Sequence, residues 1–305
     1  MRVPLRLATI FRGRMKSAVA AGAMAVFAVL PTPATPASEA TQVDLKLVIA
    51  TDVSRSINAE EARIQREGTA EAFLNPDVIK AIQSGALGRI AVAMIDWSSP
   101  QFDRVVLDWT ILKDKASATA LAEKIRATPR TPGRRTSISS ALELGSLLLE
   151  SSDKDIHATR KVIDVSGDGP NNDGNPMQES HDKTIATGVV VNGLPVMDEN
   201  ANGYYPGLDK YYAGCVVGGK GAFVVVVKSF ADFGAAMRHK LILEISQNES
   251  QIKQALEDLQ PNRLLVRAAA GNGNAPAAPQ VLRPTNNYPG GCDIYGGFGG
   301  GFGRF

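Results

Sequence analysis

The sequence predicts an α/β fold built on a doubly wound, mostly parallel sheet with helices on both faces and one antiparallel edge strand. Two observations lead to this fold class. Apolar strand segments alternate with helical segments from Thr41 to Ser246, and several of the strands are apolar almost throughout. Such alternation is typical of βαβ units. Strands that are apolar on both sides are buried between two helical layers.

The strand segments end in turn residues, and one pair of strands has no helix between its members. We expect strands at 43–51, 88–97, 103–112, 160–169, 188–197 and 221–229. Because only "SSPQF" joins the second and third, these two should form a hairpin that supplies the antiparallel edge strand.

The helical segments have apolar residues at helical spacing. The first is capped by Asn58, with Glu61 at the spacing of a capping box, and it runs to about Leu74. The further helices are expected at 114–128, 137–152, 177–187 and 230–246. Proline and glycine after residue 128 end the second helix.

The first 37 residues have the composition of a secretory signal peptide. An apolar stretch at 17–30 is followed by small residues, so cleavage after Ala37 or Ala40 fits. The basic residues that precede it are Arg2, Arg6, Arg12, Arg14 and Lys16. Met15 is an alternative start, and an uncleaved anchor is an alternative to cleavage, although the apolar stretch is short for a membrane span. Export to the periplasm or the cell exterior is therefore expected, with no transmembrane segment in the mature chain.

Removal of this peptide changes the charge balance of the chain. The complete sequence has a net charge of +2, but the remainder has 28 basic against 31 acidic residues. No basic stripe is visible, so we expect no nucleic-acid partner. Composition otherwise is that of a globular protein, with 44% hydrophobic and 21% charged residues.

The region 41–246 is predicted to form the folded domain, and 247–305 a C-terminal extension. A short helical continuation (247–259) is followed, from about residue 266, by a segment rich in Gly, Ala, Pro and Asn that we expect to be mostly disordered. Cys215 and Cys292 could pair in an oxidising compartment. Two free thiols are the other interpretation, because Cys292 lies in this glycine-rich segment.

Polar side chains follow two of the predicted strands and begin one of the helices. Asp52, Ser54 and Ser56 follow the first strand at every second position, so in extended backbone they would face the same way. Thr136 begins a helix, and Asp168 lies in the turn after a strand. Ligands of open α/β sheets bind at the carboxyl ends of the strands. An all-oxygen set suits Mg²⁺, Mn²⁺ or Ca²⁺ better than zinc. The alternative is that these residues only form capping and Asp-Gly turns.

The set Asp52-Val-Ser54-Arg-Ser56, Thr136 and Asp168-Gly169 resembles the metal-ion-dependent adhesion site of von Willebrand factor A domains, over about 43–246. More narrowly, "VIDVSGDGPNN", the Trp97 hairpin, "YYAGCVVGGKGAFVVVV" and "KLILEIS" are similar to a bacterial family of exported A-domain proteins of unknown function. The resemblance implies a von Willebrand A or Rossmann-like sheet. It also implies a metal held by the two serines and the threonine, with the aspartates as direct or water-mediated ligands, and it favours Mg²⁺.

One stretch departs from the resemblance. The approach to Thr136 carries Arg134 and Arg135 where A domains have small residues. These arginines are either a solvated pair or a contact for an anionic partner. Four tyrosines downstream could form a binding patch or pack against the sheet: Tyr204, Tyr205, Tyr211 and Tyr212.

The expected function is that of an exported, cation-dependent binding module that engages an acidic group of a protein or other ligand. The alternatives are a metal-assisted hydrolase and a scaffold that binds no metal. We expect no enzyme, because no residue stands out as a general base or nucleophile. A serine-hydrolase triad has little support, since the sequence offers no G-x-S-x-G motif and its histidines are scattered: His157, His181 and His239.

Overall fold

The structure, a computed structural model, describes residues 40–246, 280–285, 288 and 291–293. The expected signal peptide (1–37) and the expected helical continuation (247–259) lie outside the described residues. Within the described part of the chain, no helix is long and apolar enough to cross a membrane.

Seven strands of the described chain form one sheet in the order β3-β2-β1-β4-β5-β6-β7. Their bounds are β1 Thr41–Asp52, β2 Ile90–Trp97, β3 Arg104–Leu112, β4 Ile156–Gly167, β5 Val190–Pro195, β6 Val224–Val226 and β7 Gln280–Leu282. The pairs from β2 through β1, β4 and β5 to β6 are parallel, whereas β3 is antiparallel to β2. The predicted fold class and its hairpin edge are confirmed.

The helices cover both faces of this sheet. Their bounds are α1 Ala59–Leu74, α2 Pro76–Gln83, α3 Lys115–Ala127, α4 Ile138–Ser151, α5 Met177–Ala186, α6 Leu208–Tyr211 and α7 Phe233–Ile245. A π-helical turn, Tyr212–Val216, continues α6. One apolar cluster packs α1, α2, α3 and α7 on the sheet, and a second packs α4 and the α6 region on its other face. These are the two helical layers that the apolar strands require.

The short helix α2 does not follow from the sequence analysis. Asn75 ends α1 and also caps α2, with Pro76 at the first position of the new helix. Proline is favourable there because that position has no intrahelical partner for an N–H. A second helix therefore begins directly after the first one ends.

Part of the C-terminal extension joins the folded domain. Residues Gln280–Leu282 form β7, a second antiparallel edge strand, paired with β6. Farther along, Cys292 forms a disulfide with Cys215. The described residues of the extension are thus held by the sheet edge and by a covalent link. The remainder of the extension lies outside the described residues.

The helix α7 is held to the sheet by buried charge. The side chain of Lys240 is fully buried and lies 2.5 Å from Asp164 Oδ1 on β4. Its ammonium group also contacts Glu244, whose carboxylate accepts a hydrogen bond from Asn192 on β5. The ammonium group of Lys240 therefore forms ion pairs with two buried carboxylates between α7 and the sheet.

The strand order places a crevice at the carboxyl ends of β1 and β4. From β1 the chain moves outward to β2 and β3, then returns to β4 on the other side. At such a reversal the connecting loops diverge and leave room for a ligand. Asp52 ends β1 at this point, opposite Trp97 of β2.

Candidate metal centre

Asp52 is fixed at the end of the central strand with half of its carboxylate unpartnered. The residue is fully buried. Its Oδ1 accepts a hydrogen bond from the backbone N–H of Ser54 at 2.7 Å. Its Oδ2 is buried and has no hydrogen-bond partner among the described residues. A buried charged oxygen without a partner is costly, so this atom points to a ligand.

Ser54, Ser56 and Asp168 form a continuous chain of oxygens beside Asp52. The two serine hydroxyl oxygens lie 3.0 Å apart. The hydroxyl of Ser56 donates to Asp168 Oδ1 at 2.7 Å. Oδ2 of Asp168 is the second buried carboxylate oxygen here without a hydrogen-bond partner among the described residues. The structure thus links Ser54, Ser56 and Asp168 through their side chains and places the carboxylate of Asp52 on the backbone of Ser54.

The convergence of these residues has a different cause from the one the sequence suggested. We expected extended backbone from Asp52 to Ser56, but β1 ends at Asp52 and residues 54–56 form a turn. The N–H of Ile57 donates to the carbonyl of Ser54 at 3.2 Å within that turn. The grouping is as predicted, but the reason given for it is wrong.

Thr136 joins the group through its backbone. Its N–H donates to Asn172 Oδ1 at 3.0 Å, and its carbonyl accepts from the N–H of Asn172 at 2.8 Å. This reciprocal pair ties the start of α4 to the loop 168–176. The hydroxyl of Thr136 lies 3.7 Å from the position that a Cβ on Gly169 would take. The threonine therefore lies next to the residue that follows Asp168.

The electrostatics of the site disfavour two ionised carboxylates without a cation. Burial, together with the nearby charge of Asp168, raises the pKa of Asp52 well above its ordinary value. Burial also raises the pKa of Asp168 to about 6, although the hydrogen bond from Ser56 acts to lower it.

The guanidinium of Arg130 donates to the carbonyl of Ile57 at 2.5 Å, next to the serine turn. No group of three or more His, Cys, Asp or Glu side chains placed to hold a metal occurs in the described regions, so a cation here would depend on the hydroxyls.

Tyr212 borders the site beside Asp52, a position that the sequence analysis did not predict for it. It is fully buried, and its hydroxyl has no hydrogen-bond partner in the described structure. A Cβ on Gly167 would lie 2.8 Å from Asp52 Oδ2 and 3.0 Å from the Tyr212 hydroxyl, so both atoms border one space that glycine keeps open. Of the two interpretations of the four tyrosines, packing holds for Tyr211 and Tyr212, which are buried, whereas Tyr204 is exposed. Tyr212 begins a π-helical turn, a feature that is frequent at functional sites but has no pattern in the sequence.

The loop between β5 and α6 covers the site. A Cβ on Gly203 would lie 2.5 Å from Asp168 Oδ2 and 2.6 Å from the Cβ of Ser56. Asp198 orders this loop, because its carboxylate accepts from the N–H groups of Asn200 and Phe230. Access to the carboxylates from this side therefore requires the loop to move.

Two serine hydroxyls fix the backbone of the arginines that precede Thr136. The N–H of Arg134 donates to Ser98 Oγ at 2.8 Å, and the N–H of Arg135 donates to Ser99 Oγ at 3.1 Å. Both arginine residues are exposed. The departure from small residues thus leaves the loop ordered and adds two surface cations near the site.

Comparison with solved structures finds distant likenesses. Proximal thread matrix protein 1 from the mussel byssus is 19% identical, with a TM-score of 0.49 over 68% of this chain and 50% of the mussel chain. The pilus adhesin SpaC from Lactobacillus rhamnosus GG is 14% identical, with a TM-score of 0.48 over 68% of this chain and 31% of SpaC. A von Willebrand factor type A protein from Catenulispora acidiphila is 13% identical, with a TM-score of 0.44 over 65% and 42% of the two chains.

These likenesses carry no information on what this chain binds. Another structure of the mussel protein is described as having zinc in its adhesion motif, which is a property of that protein. The present chain spans about half the length of the mussel protein. Comparison with curated protein sequences found no match.

The family follows from the sequence match over the folded domain. The strand order, with its reversal between β1 and β4 and an antiparallel β3, is the von Willebrand A-like arrangement that the resemblance implied. A family model described as "Protein of unknown function (DUF1194)" matches residues 42–249, which is more than half of the sequence. The chain belongs to this family of proteins of unknown function.

Proposed function

We propose that this domain binds a divalent cation and uses it to engage an acidic group of a protein or other ligand. The residues that would hold the cation are Asp52, Ser54, Ser56, Thr136 and Asp168. The observation that carries the proposal is the pair of buried carboxylate oxygens without partners, one on each aspartate, beside two serine hydroxyls. A dication would neutralise both carboxylates at once and remove the cost of leaving them buried and unpaired.

The donor set favours a hard cation. Carboxylate and hydroxyl oxygens suit Mg²⁺, Mn²⁺ and Ca²⁺, and among these we propose Mg²⁺. When bound, the cation would supply positive charge to which a partner's carboxylate can coordinate. The chain's own residues would fix the cation: Asp52 from the end of β1, the serines from the turn after it, and Asp168 from the end of β4.

The loop between β5 and α6 controls how a partner's acidic group would reach the cation. The loop around Gly203 lies over Asp168 and Ser56, so a partner's acidic group would enter only after this loop moves. The exposed Arg134 and Arg135 would then attract the incoming anion, because surface cations steer association at low ionic strength.

Export is part of the proposal. The basic and then apolar N-terminal sequence supports it. The disulfide between Cys215 and Cys292 also supports it, because disulfides persist mainly in oxidising compartments.

Calorimetric titration of Mg²⁺, Mn²⁺ and Ca²⁺ into metal-stripped protein tests the cation site. We expect saturable binding by the wild type and loss of binding in Asp52→Asn and in Ser54→Ala. The control is Asp155→Asn, an exposed carboxylate at the start of β4, which should bind as the wild type does. Absence of binding by the folded wild type would remove the proposal.

Two further assays test the binding role. Fluorescence anisotropy of a labelled glutamate-rich peptide should rise with added protein in Mg²⁺ and not in EDTA, and an equal response in both would argue against cation bridging. We propose binding and no catalysis. Turnover of p-nitrophenyl phosphate or p-nitrophenyl acetate that is lost in Asp52→Asn would instead support a metal-assisted hydrolase.

A further inference from the structure

Residues of the C-terminal segment pack against the elements that border the candidate metal centre. We call Tyr288, Cys292 and Asp293 the tail contact. Cys292 is bonded to Cys215, 77 positions earlier, in the π-helical turn after α6. The ring of Tyr288 packs edge-on against Tyr211, with 5.4 Å between the ring centroids. The tail contact thus covers the α6 region on the face of the sheet that carries α4.

Tyr211 connects the tail contact to the loop 168–176. Its side chain is fully buried. Its hydroxyl donates to the carbonyl of Cys292 at 3.0 Å and accepts from the N–H of Asn171 at 3.2 Å. One hydroxyl therefore joins the tail to the backbone of the loop that begins with Asp168.

Asn171 links the loop to the start of α4, beside the candidate metal centre. Its Oδ1 accepts from the N–H of Ser139 in the first turn of α4 at 3.0 Å. The next residue, Asn172, makes the reciprocal pair with Thr136. The backbone of the loop is thus held between Tyr211 on one side and the start of α4 on the other.

The far end of the same loop is also held by the tail contact. Asp293 Oδ1 accepts from the N–H of Met177, the first residue of α5, at 2.6 Å. Pro176 at the N-cap position makes no side-chain capping bond. Asp293 therefore supplies the cap from a distant part of the chain, where a carboxylate is favourable at the positive end of the helix.

We propose that the disulfide-anchored tail contact, acting through Tyr211, positions the loop that carries Asp168 and so sets the cation affinity of the site. The inference rests on the proposed function. Tyr211 is a positioning residue, since it touches Asn171 and not the groups that would hold the cation. Groups that orient metal ligands in this way typically change metal affinity by about 10- to 100-fold when they are removed.

Two variants separate positioning from folding. Tyr211→Phe removes one hydroxyl and keeps the ring that packs against Tyr288. Cys215→Ser combined with Cys292→Ser releases the tail contact while leaving the loop sequence intact. The matched control is Met237→Ala, a buried residue of α7 in the other apolar cluster, which lowers stability without touching the loop.

The first readout is the Mg²⁺ dissociation constant from calorimetry at a temperature where every variant is folded. We expect it to rise by about 10-fold in Tyr211→Phe and by at least as much in the double serine variant. It should stay unchanged in Met237→Ala. Unchanged affinity in both tail variants, or an equal loss in the control, would overturn the inference while leaving the cation site itself intact.

The second readout does not depend on the cation. Hydrogen exchange at the amides of residues 169–172 in metal-free protein should become faster in both tail variants and stay as in the wild type in Met237→Ala. If the wild type binds no cation, the proposed function fails, and with it the part of the inference that concerns affinity. Unchanged exchange in the loop would independently refute the positioning role.

Discussion

Asp168→Asn is expected to stabilise the cation-free protein at neutral pH and to abolish its response to Mg²⁺. The substitution keeps the shape of the side chain and an oxygen that can accept from Ser56. It removes a negative charge that lies buried near Asp52. Substituting a residue that serves only folding is not expected to raise stability and abolish Mg²⁺ binding together. Substituting a buried, charged ligand of a cation is expected to do both.

The magnitude follows from the pKa of Asp168, which burial raises from 3.8 to about 6. The folded state therefore holds this proton more tightly than the unfolded state, so stability falls as the pH rises from 3.8 to about 6 and stays low above it. At about 1.4 kcal/mol per pKa unit, the ionised side chain lowers the free energy of unfolding by about 3 kcal/mol at pH 7.5. At pH 5 the loss should be about half as large.

Urea denaturation in EDTA, at pH 5 and pH 7.5, measures this difference. Asp168→Asn should exceed the wild type by up to about 3 kcal/mol at pH 7.5 and by about half of that at pH 5. Adding Mg²⁺ at 100 times its dissociation constant should stabilise the wild type by about 2.7 kcal/mol and leave the variant unchanged. Asp155→Asn should resemble the wild type throughout. A variant less stable than the wild type at pH 7.5 in EDTA would refute the reasoning.

Three further substitutions test separate parts of the structure. Gly203→Ala puts a Cβ 2.5 Å from Asp168 Oδ2, so the Mg²⁺ affinity measured by calorimetry should fall by about 10-fold. Unchanged affinity would mean that this loop does not lie over the site. Lys240→Met leaves two buried carboxylates without their cation, so the free energy of unfolding from urea denaturation should fall by about 3–5 kcal/mol. A fall of less than about 1 kcal/mol would contradict the buried ion pair. Asn58→Ala removes the cap of α1 and should cost about 1 kcal/mol by the same method, whereas Ala59→Ser, one position on, should have a smaller effect.

Local patterns determined most of the fold. The apolar runs of β1, β2 and β4 predicted buried parallel strands, because a strand covered on both faces tolerates few polar side chains. The capping box of Asn58 and Glu61 was predicted from spacing alone and is present, with Glu61 Oε2 accepting from the N–H of Asn58 at 2.7 Å. Capping depends on residues within one turn, so sequence suffices to predict it.

The candidate site was predicted in part for the same reason. Asp52, Ser54 and Ser56 are close in sequence, and Thr136 and Asp168 lie at element ends that a parallel sheet brings to one edge. Their grouping is in the structure, while their ligation of a cation stays a prediction. The turn geometry of the serines was not predicted, because alternating spacing cannot distinguish a strand from the turn that follows it.

What the sequence by itself determined, then, is the layered sheet and the edge of it where the carboxylates and hydroxyls lie close together. Only the tertiary structure decided which distant residues complete that place. These are Tyr212 near Asp52, Gly203 near Asp168, and the strand and disulfide of the C-terminal segment, which come from parts of the chain with weak local patterns. Their positions depend on packing and on one covalent bond between residues far apart in sequence, and neither leaves a periodic signal along the chain.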